Sequence, residues 1–132
     1  MTQEKKVQIG ILAPSAQVPQ IELNLGVEKL KNEGFKVKVH PQCRRSHLFF
    51  AGTDQERADA FADYAYDPEI DVIWSARGGH GSIRLLPFLE KMTRSRGRPP
   101  HKLFIGYSDS TSIMESPISL SRSVYVRVKC GL

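Results

Sequence analysis

The sequence predicts a doubly wound α/β domain, a mostly parallel sheet with helices on both faces. Three observations lead there. Apolar, strand-like runs occur in "KVQIGILAPS", "KVKVHPQ", "IDVIWSARGGHGS" and "HKLFIGYSDST", and each runs into a turn. The stretches between them are long enough for crossovers and carry helical patterns. The resulting order β-α-β-α-β-α-β calls for parallel neighbours joined by right-handed crossovers.

The elements follow in order. "KVQIGIL" is a buried first strand ending in a Pro-Ser turn, too short and too interrupted by Gln8 to be a leader segment. Asn24 to Glu33 fits a helix, which Gly34 stops. "KVKV" alternates as a second strand. "CRRSHLFFAGTD" is a loop with an aromatic pair. In "TDQERADAFADYAYDP", Thr53 or Asp54 caps a helix with Glu56 in its first turn. Ala58, Phe61, Ala62 and Ala65 form its buried face, and Pro68 lies past its end. Val72 to Ser75 is the third strand. "SIRLLPFLEKM" is the next helix, with Pro87 early, where proline costs little. Leu103 to Ile105 form the fourth strand. In the last residues Pro117 interrupts a helix-like start, and "SVYVRVKC" alternates like a further strand, although no long helix separates it from the fourth.

Composition narrows the function classes. The 132 residues suit one domain, with 40 % apolar and 25 % charged residues. No apolar run approaches the ~20 residues that span a membrane. Cys43 and Cys130 have neither metal nor redox spacing and read as free thiols in a reducing compartment. The four histidines are scattered, so no metal site is expected. The net charge of +5 is concentrated in "KMTRSRGRPPHK", with Lys91, Arg94, Arg96, Arg98 and Lys102. No aromatics interleave with these charges, so the stretch reads as a solvated helix end rather than a nucleic-acid surface.

In an open parallel sheet, ligands bind at the carboxyl ends of the strands. Two unusual turns stand there. "RGGHG" puts Gly78, Gly79 and Gly81 within four positions, so backbone N–H groups can point at an anionic oxygen. A tight strand-to-helix turn needs glycine as well, and the stretch lacks the Lys-Ser/Thr ending of a phosphate loop. Arg77 is a candidate carboxylate ligand, and His80 is a candidate base or a bystander. "GYSDST" places Ser108 where a sharp turn would expose a nucleophile and aim the next N–H at an oxyanion. Ser110 stands where the second glycine of that motif would be. Helix capping by Ser108, Asp109, Ser110 or Thr111 explains the same residues.

Taken together, "IGILAPS", "GVEKLKNEGFKV", "FFAGTDQERADAF", "IDVIWSARGGHGS" and "IGYSDST" resemble the N-terminal part of the LD-carboxypeptidases, serine peptidases of family S66, over residues 7–113. The resemblance implies a flavodoxin- or Rossmann-like N-terminal domain over residues 1–113 and a divergent tail over 114–132. It implies Ser108 as nucleophile. The N–H of Asp109 and a glycine of "RGGHG", Gly79 with Gly78 beside it, would be the oxyanion donors. The implied substrate is a murein tetrapeptide that loses its terminal D-alanine during cytoplasmic cell-wall recycling, without a metal or other cofactor. Relatives include the microcin C immunity peptidases. The family's glutamate and histidine lie in a C-terminal domain that should begin where this chain ends, so the expectation is an N-terminal fragment inactive alone. Its exposed apolar surface would favour self-association, as in a homodimer. Two further classes stay open: a catalytically silent module that holds a peptide or anion on the same turns, and a polyanion binder using residues 91–102. Labelling by a serine-directed fluorophosphonate separates the first class from both, and a steep salt dependence of binding marks the last.

Overall fold

The computed structural model describes residues 5–106, 108–114 and 122–125. Among the described residues five strands form one sheet: β1 (Gln8–Leu12), β2 (Lys36–Val39), β3 (Val72–Ser75), β4 (Leu103–Gly106) and β5 (Arg122–Tyr125). Their order across the sheet is β2-β1-β3-β4-β5, and all four neighbouring pairs are parallel. The helices are α1 (Gln20–Asn32), α2 (Asp54–Ala65), α3 (Leu86–Arg96) and the short α4 (Thr111–Met114).

Strand alternation sorts the core into two layers. Leu12, Ile73 and Phe104 point to one face and pack with Phe61, Tyr64 and Ala65 of α2 and Leu89 of α3. Ile9, Ile11 and Val72 point to the other and pack with Leu23, Val27 and Leu30 of α1. Gly10 is the close-approach point of the first layer, since a Cβ there would lie 2.7 Å from the Tyr64 ring. Trp74, Leu103 and Ile105 extend the second layer but stay half-exposed.

Helix α2 begins as its sequence requires. Thr53 accepts from the Glu56 amide at 3.2 Å, and Glu56 accepts from the Thr53 amide at 3.3 Å. This reciprocal box satisfies two amides that the first turn would leave open. Gly34, at φ +97°, follows α1 and permits the reversal into β2. Pro87 sits in the first turn of α3.

The structure departs from expectation at two places, the start of α1 and the entry to α3, and bears out the further strand. Helix α1 starts at Gln20, four residues before the predicted Asn24, because Pro19 stands at its N-cap with extended backbone. Ile21 and Leu25 are exposed, which blurs the apolar stripe there. The stretch after "RGGHG" first makes a 3₁₀ turn, Ser82–Leu85, before α3 begins. The alternating "SVYVRVKC" contributes β5 at Arg122–Tyr125, parallel to β4; Pro117 and residues 126–132, Cys130 among them, lie outside the described residues.

The basic stretch does not act as one surface. Lys102 is buried and donates to the carbonyls of Asp67 and Ile70. Arg96 stacks 4.0 Å over the Tyr66 ring, and Arg94 pairs with Glu90 within α3. Among the described residues no helix is long and apolar enough to cross a membrane, and no cluster of three metal-ligating side chains occurs.

Candidate active site

The carboxyl ends of β1, β3 and β4 converge, and the loops leaving them touch. Strand β4 ends at Gly106, where a Cβ would lie 2.5 Å from Ser110 Oγ. The chain therefore turns tightly into a 3₁₀ segment, Ser108–Ser110, that leads into α4. Ser108 is exposed and has φ +57°, a left-handed conformation unusual for a residue with a Cβ. A helix N-cap ordinarily has extended backbone, so this φ does not match capping geometry.

The turn after β3 stands beside it. Ser82, which follows the glycines, donates its amide to Asp109 Oδ2 at 2.8 Å and its hydroxyl to the Asp109 carbonyl. Ser15, at the exit of β1, donates its hydroxyl to the same carboxylate oxygen at 2.7 Å. Asp109 thus links all three loops through its side chain, while its position after Ser108 keeps its own N–H in the turn.

Within the glycine turn, Gly78 is buried and its carbonyl accepts from the Ala16 amide at 3.4 Å. Gly79 is exposed, with φ +114°. Gly81, at φ +111°, leaves room for the Phe50 ring, which a Cβ would meet at 2.7 Å. Arg77 is exposed, and its guanidinium Nη1 donates to the Gln17 carbonyl at 2.7 Å, which holds the guanidinium against the loop after β1. His80 is exposed on the turn.

Arg57 is, with Ser15 and Ser82, one of the residues that sequence reasoning missed. It is fully buried, and its guanidinium reaches the carbonyls of Gly52 at 3.2 Å, Pro14 at 2.9 Å and Gly81 at 2.8 Å. It also pairs with Asp54 and lies 4.8 Å from the Phe50 ring centre. Burial pushes this guanidinium below its ordinary value, and Asp54 works against that shift. Beside it, residues 47–50 form a small hairpin in which His47 and Phe50 exchange both backbone bonds at 2.9 Å. Its tip exposes Leu48 and Phe49, and Leu48 has φ +55°. Gln17 holds the hairpin against the loop after β1 by donating its amide to the Phe49 carbonyl at 3.0 Å.

The model of the LD-carboxypeptidase N-terminal domain matches residues 9–121 of the chain. The chain belongs to this family. The microcin C7 self-immunity protein MccF of Escherichia coli is 35 % identical over 102 residues, covering 77 % of the chain and 29 % of that protein. The murein tetrapeptide carboxypeptidase of Pseudomonas aeruginosa is 25 % identical over 109 residues, covering 83 % and 35 %. Among solved structures, the muramoyltetrapeptide carboxypeptidase of Oxalobacter formigenes superposes with a TM-score of 0.66 at 33 % identity, over 80 % of the chain and 34 % of that structure. The LD-carboxypeptidase domain described here thus spans about a third of the length of its relatives.

Proposed function

We propose that this chain supplies the nucleophile and oxyanion half of a serine LD-carboxypeptidase acting on murein tetrapeptide. The observation that carries the reading is Ser108: an exposed serine held at φ +57° in a strand-to-helix turn, bonded through its neighbour Asp109 to the glycine-rich turn after β3. In this reading Ser108 Oγ attacks the carbonyl carbon between the L-centre of the diamino acid and D-alanine. The carbonyl oxygen becomes an oxyanion, held by the N–H groups of Asp109 and Gly79. Collapse breaks the C–N bond, the amine leaves with a proton as D-alanine, and water then hydrolyses the serine ester. Arg77, whose guanidinium bonds the Gln17 carbonyl at the edge of the groove beside α1, keeps further donors with which it binds a substrate carboxylate.

The hydroxyl needs a base. His40 is engaged with Asp63 at 2.7 Å on the β2 side, His101 lies before β4 at the opposite end of the sheet, and among the described residues no carboxylate orients the ring of His47 or of His80, the exposed local candidate on the glycine turn. We assign the base to the C-terminal glutamate–histidine pair that the family resemblance implies, so the 132 residues alone turn over little or nothing. The support from relatives is the naming of two of them as murein or muramoyltetrapeptide carboxypeptidases. The runner-up is a silent module that holds a peptide carboxylate on Arg77 and the glycine turn.

The test joins residues 1–113 to the C-terminal part of a murein tetrapeptide carboxypeptidase and measures D-alanine release. Turnover that Ser108→Ala abolishes is expected. A folded chimera that binds tetrapeptide at the glycine turn without releasing D-alanine favours the silent module. No binding at that turn overturns both.

A further inference from the structure

The carbonyl of Gly81 and the amide of Ser82 belong to one peptide unit, and in a trans peptide these two groups point in opposite directions. Arg57 Nη1 donates to that carbonyl at 2.8 Å, and Asp109 Oδ2 accepts from that amide at 2.8 Å. A buried cation and a carboxylate therefore grip the same peptide plane from its two sides. The same two side chains also hold neighbouring residues at the exit of β1, there through one carbonyl and one side-chain hydroxyl. Arg57 Nη1 donates to the Pro14 carbonyl at 2.9 Å, and the hydroxyl of Ser15, the next residue, donates to Asp109 Oδ2 at 2.7 Å.

We propose that Arg57 and Asp109 are positioning residues that clamp the Gly81–Ser82 peptide and so anchor the C-terminal end of the turn that carries the Gly79 N–H, whose own peptide is held at the other end by the Ala16 amide on the Gly78 carbonyl. The proposal rests on the reading of Gly79 as an oxyanion donor. Glycines are free to rotate their peptide planes, and both Gly79 and Gly81 already occupy positive φ. A turn of that composition holds one orientation only if both its ends are restrained from outside, and the Ala16 bond to the Gly78 carbonyl, at 3.4 Å, is the longer of the two restraints. Charge-assisted bonds are the stronger kind, and here one of each sign acts on a single plane. The carboxylate stands next to Ser108, so the nucleophile turn and the glycine turn move as one body. Arginine suits the first role because its fixed fork serves three carbonyls together, which a lysine amine cannot.

The test uses the ¹⁵N-labelled 132-residue chain without substrate. Amide exchange of Ser82 and the residual dipolar couplings of Gly79 and Gly81 report the clamp directly. In the wild type the Ser82 amide should be protected. In Asp109→Ala that protection should be lost, and the Gly79 and Gly81 couplings should change while those of β1–β3 stay. Asp109→Asn keeps an acceptor oxygen and should restore most of both readings. Arg57→Lys should move Gly81 with the charge retained. An unprotected Ser82 amide in the wild type overturns the proposal, even if no variant folds. So does an Asp109→Ala chain that melts earlier yet keeps wild-type glycine couplings, because that describes mere stabilisation. The oxyanion reading fails separately, if tetrapeptide leaves the Gly79 amide of the intact clamp unmoved.

Discussion

Gly79 faces Ala16 with no space for a side chain: a Cβ at position 79 would lie 2.7 Å from Ala16 Cβ. The same glycine sits at φ +114°, a region that residues with a Cβ seldom enter. Two independent constraints thus demand glycine at the point where the turn after β3 meets the loop after β1.

Gly79→Ala should cost on the order of 1–3 kcal/mol from the backbone conformation alone, plus the steric conflict with Ala16. Ala16→Gly should recover the steric part and leave the backbone part. Urea unfolding of the two single variants and the double variant checks this. Strictly additive effects would mean that the two residues do not press on each other.

Position 108 should rank its residues by their tolerance of positive φ. Ser108→Gly is expected to hold stability or raise it by up to about 1 kcal/mol, while Ser108→Val should lose about 1–3 kcal/mol. Chemical denaturation of the three chains measures the order. A glycine variant clearly weaker than the serine would show that the serine hydroxyl stabilises the fold more than its backbone strains it.

Arg57→Met should be among the most damaging single changes. It leaves three buried loop carbonyls without their donor and takes from Asp54 one of its two arginine partners, Arg84 remaining, a loss of about 3–5 kcal/mol. Loss of cooperative unfolding is the expected outcome. A well-folded Arg57→Met chain would mean that the loops carry their own order.

Alkali should destabilise the fold partly through Cys43. Its thiol is fully buried, and burial pushes it from 9.0 up to about 12. The folded state prefers the neutral thiol, so this contribution is complete below the ordinary thiol range. It is lost progressively as pH rises from there towards 12. Tyr64, also raised by burial, acts in the same direction. Between pH 7 and 10.5, wild-type stability should therefore fall more steeply than that of Cys43→Ala. Parallel pH curves would remove the thiol from the explanation.

On the α1 side of the sheet, Trp74, Leu103 and Ile105 are only half covered, and an apolar groove runs between α1 and β3. The chain should self-associate through this face, with Trp74 emission shifting to the blue as concentration rises. Sedimentation as one monomeric species across the same range, with unchanged emission, would count against it.

The fold was legible because its strands are short apolar runs between turn residues and because single residues punctuate it: Thr53 and Glu56 start α2, Gly34 follows α1, and Pro87 opens α3. The start of α1 was not, since Pro19 serves as N-cap while the apolar Ile21 and Leu25 point to solvent. Of the site, the two turns could be read from their glycines and hydroxyls. What binds them together could not, because Ser15, Arg57 and Ser82 act on groups far away in sequence. Arg57 did leave one trace. It falls four residues before Phe61 on the buried stripe of α2, where an arginine has no reason to be unless polar groups await it.

The strand order also has a consequence for biosynthesis. β1 is made first yet lies inside the sheet, between β2 and β3, and Ile9 meets Val72 only after α1, β2 and α2 have left the ribosome. At about 5–20 residues per second, the nascent chain carries an unsatisfied apolar strand edge for some seconds. During that interval the edge is open to pairing with another nascent chain. The yield of native protein should therefore depend on translation speed and chaperone supply more than its final stability alone would indicate.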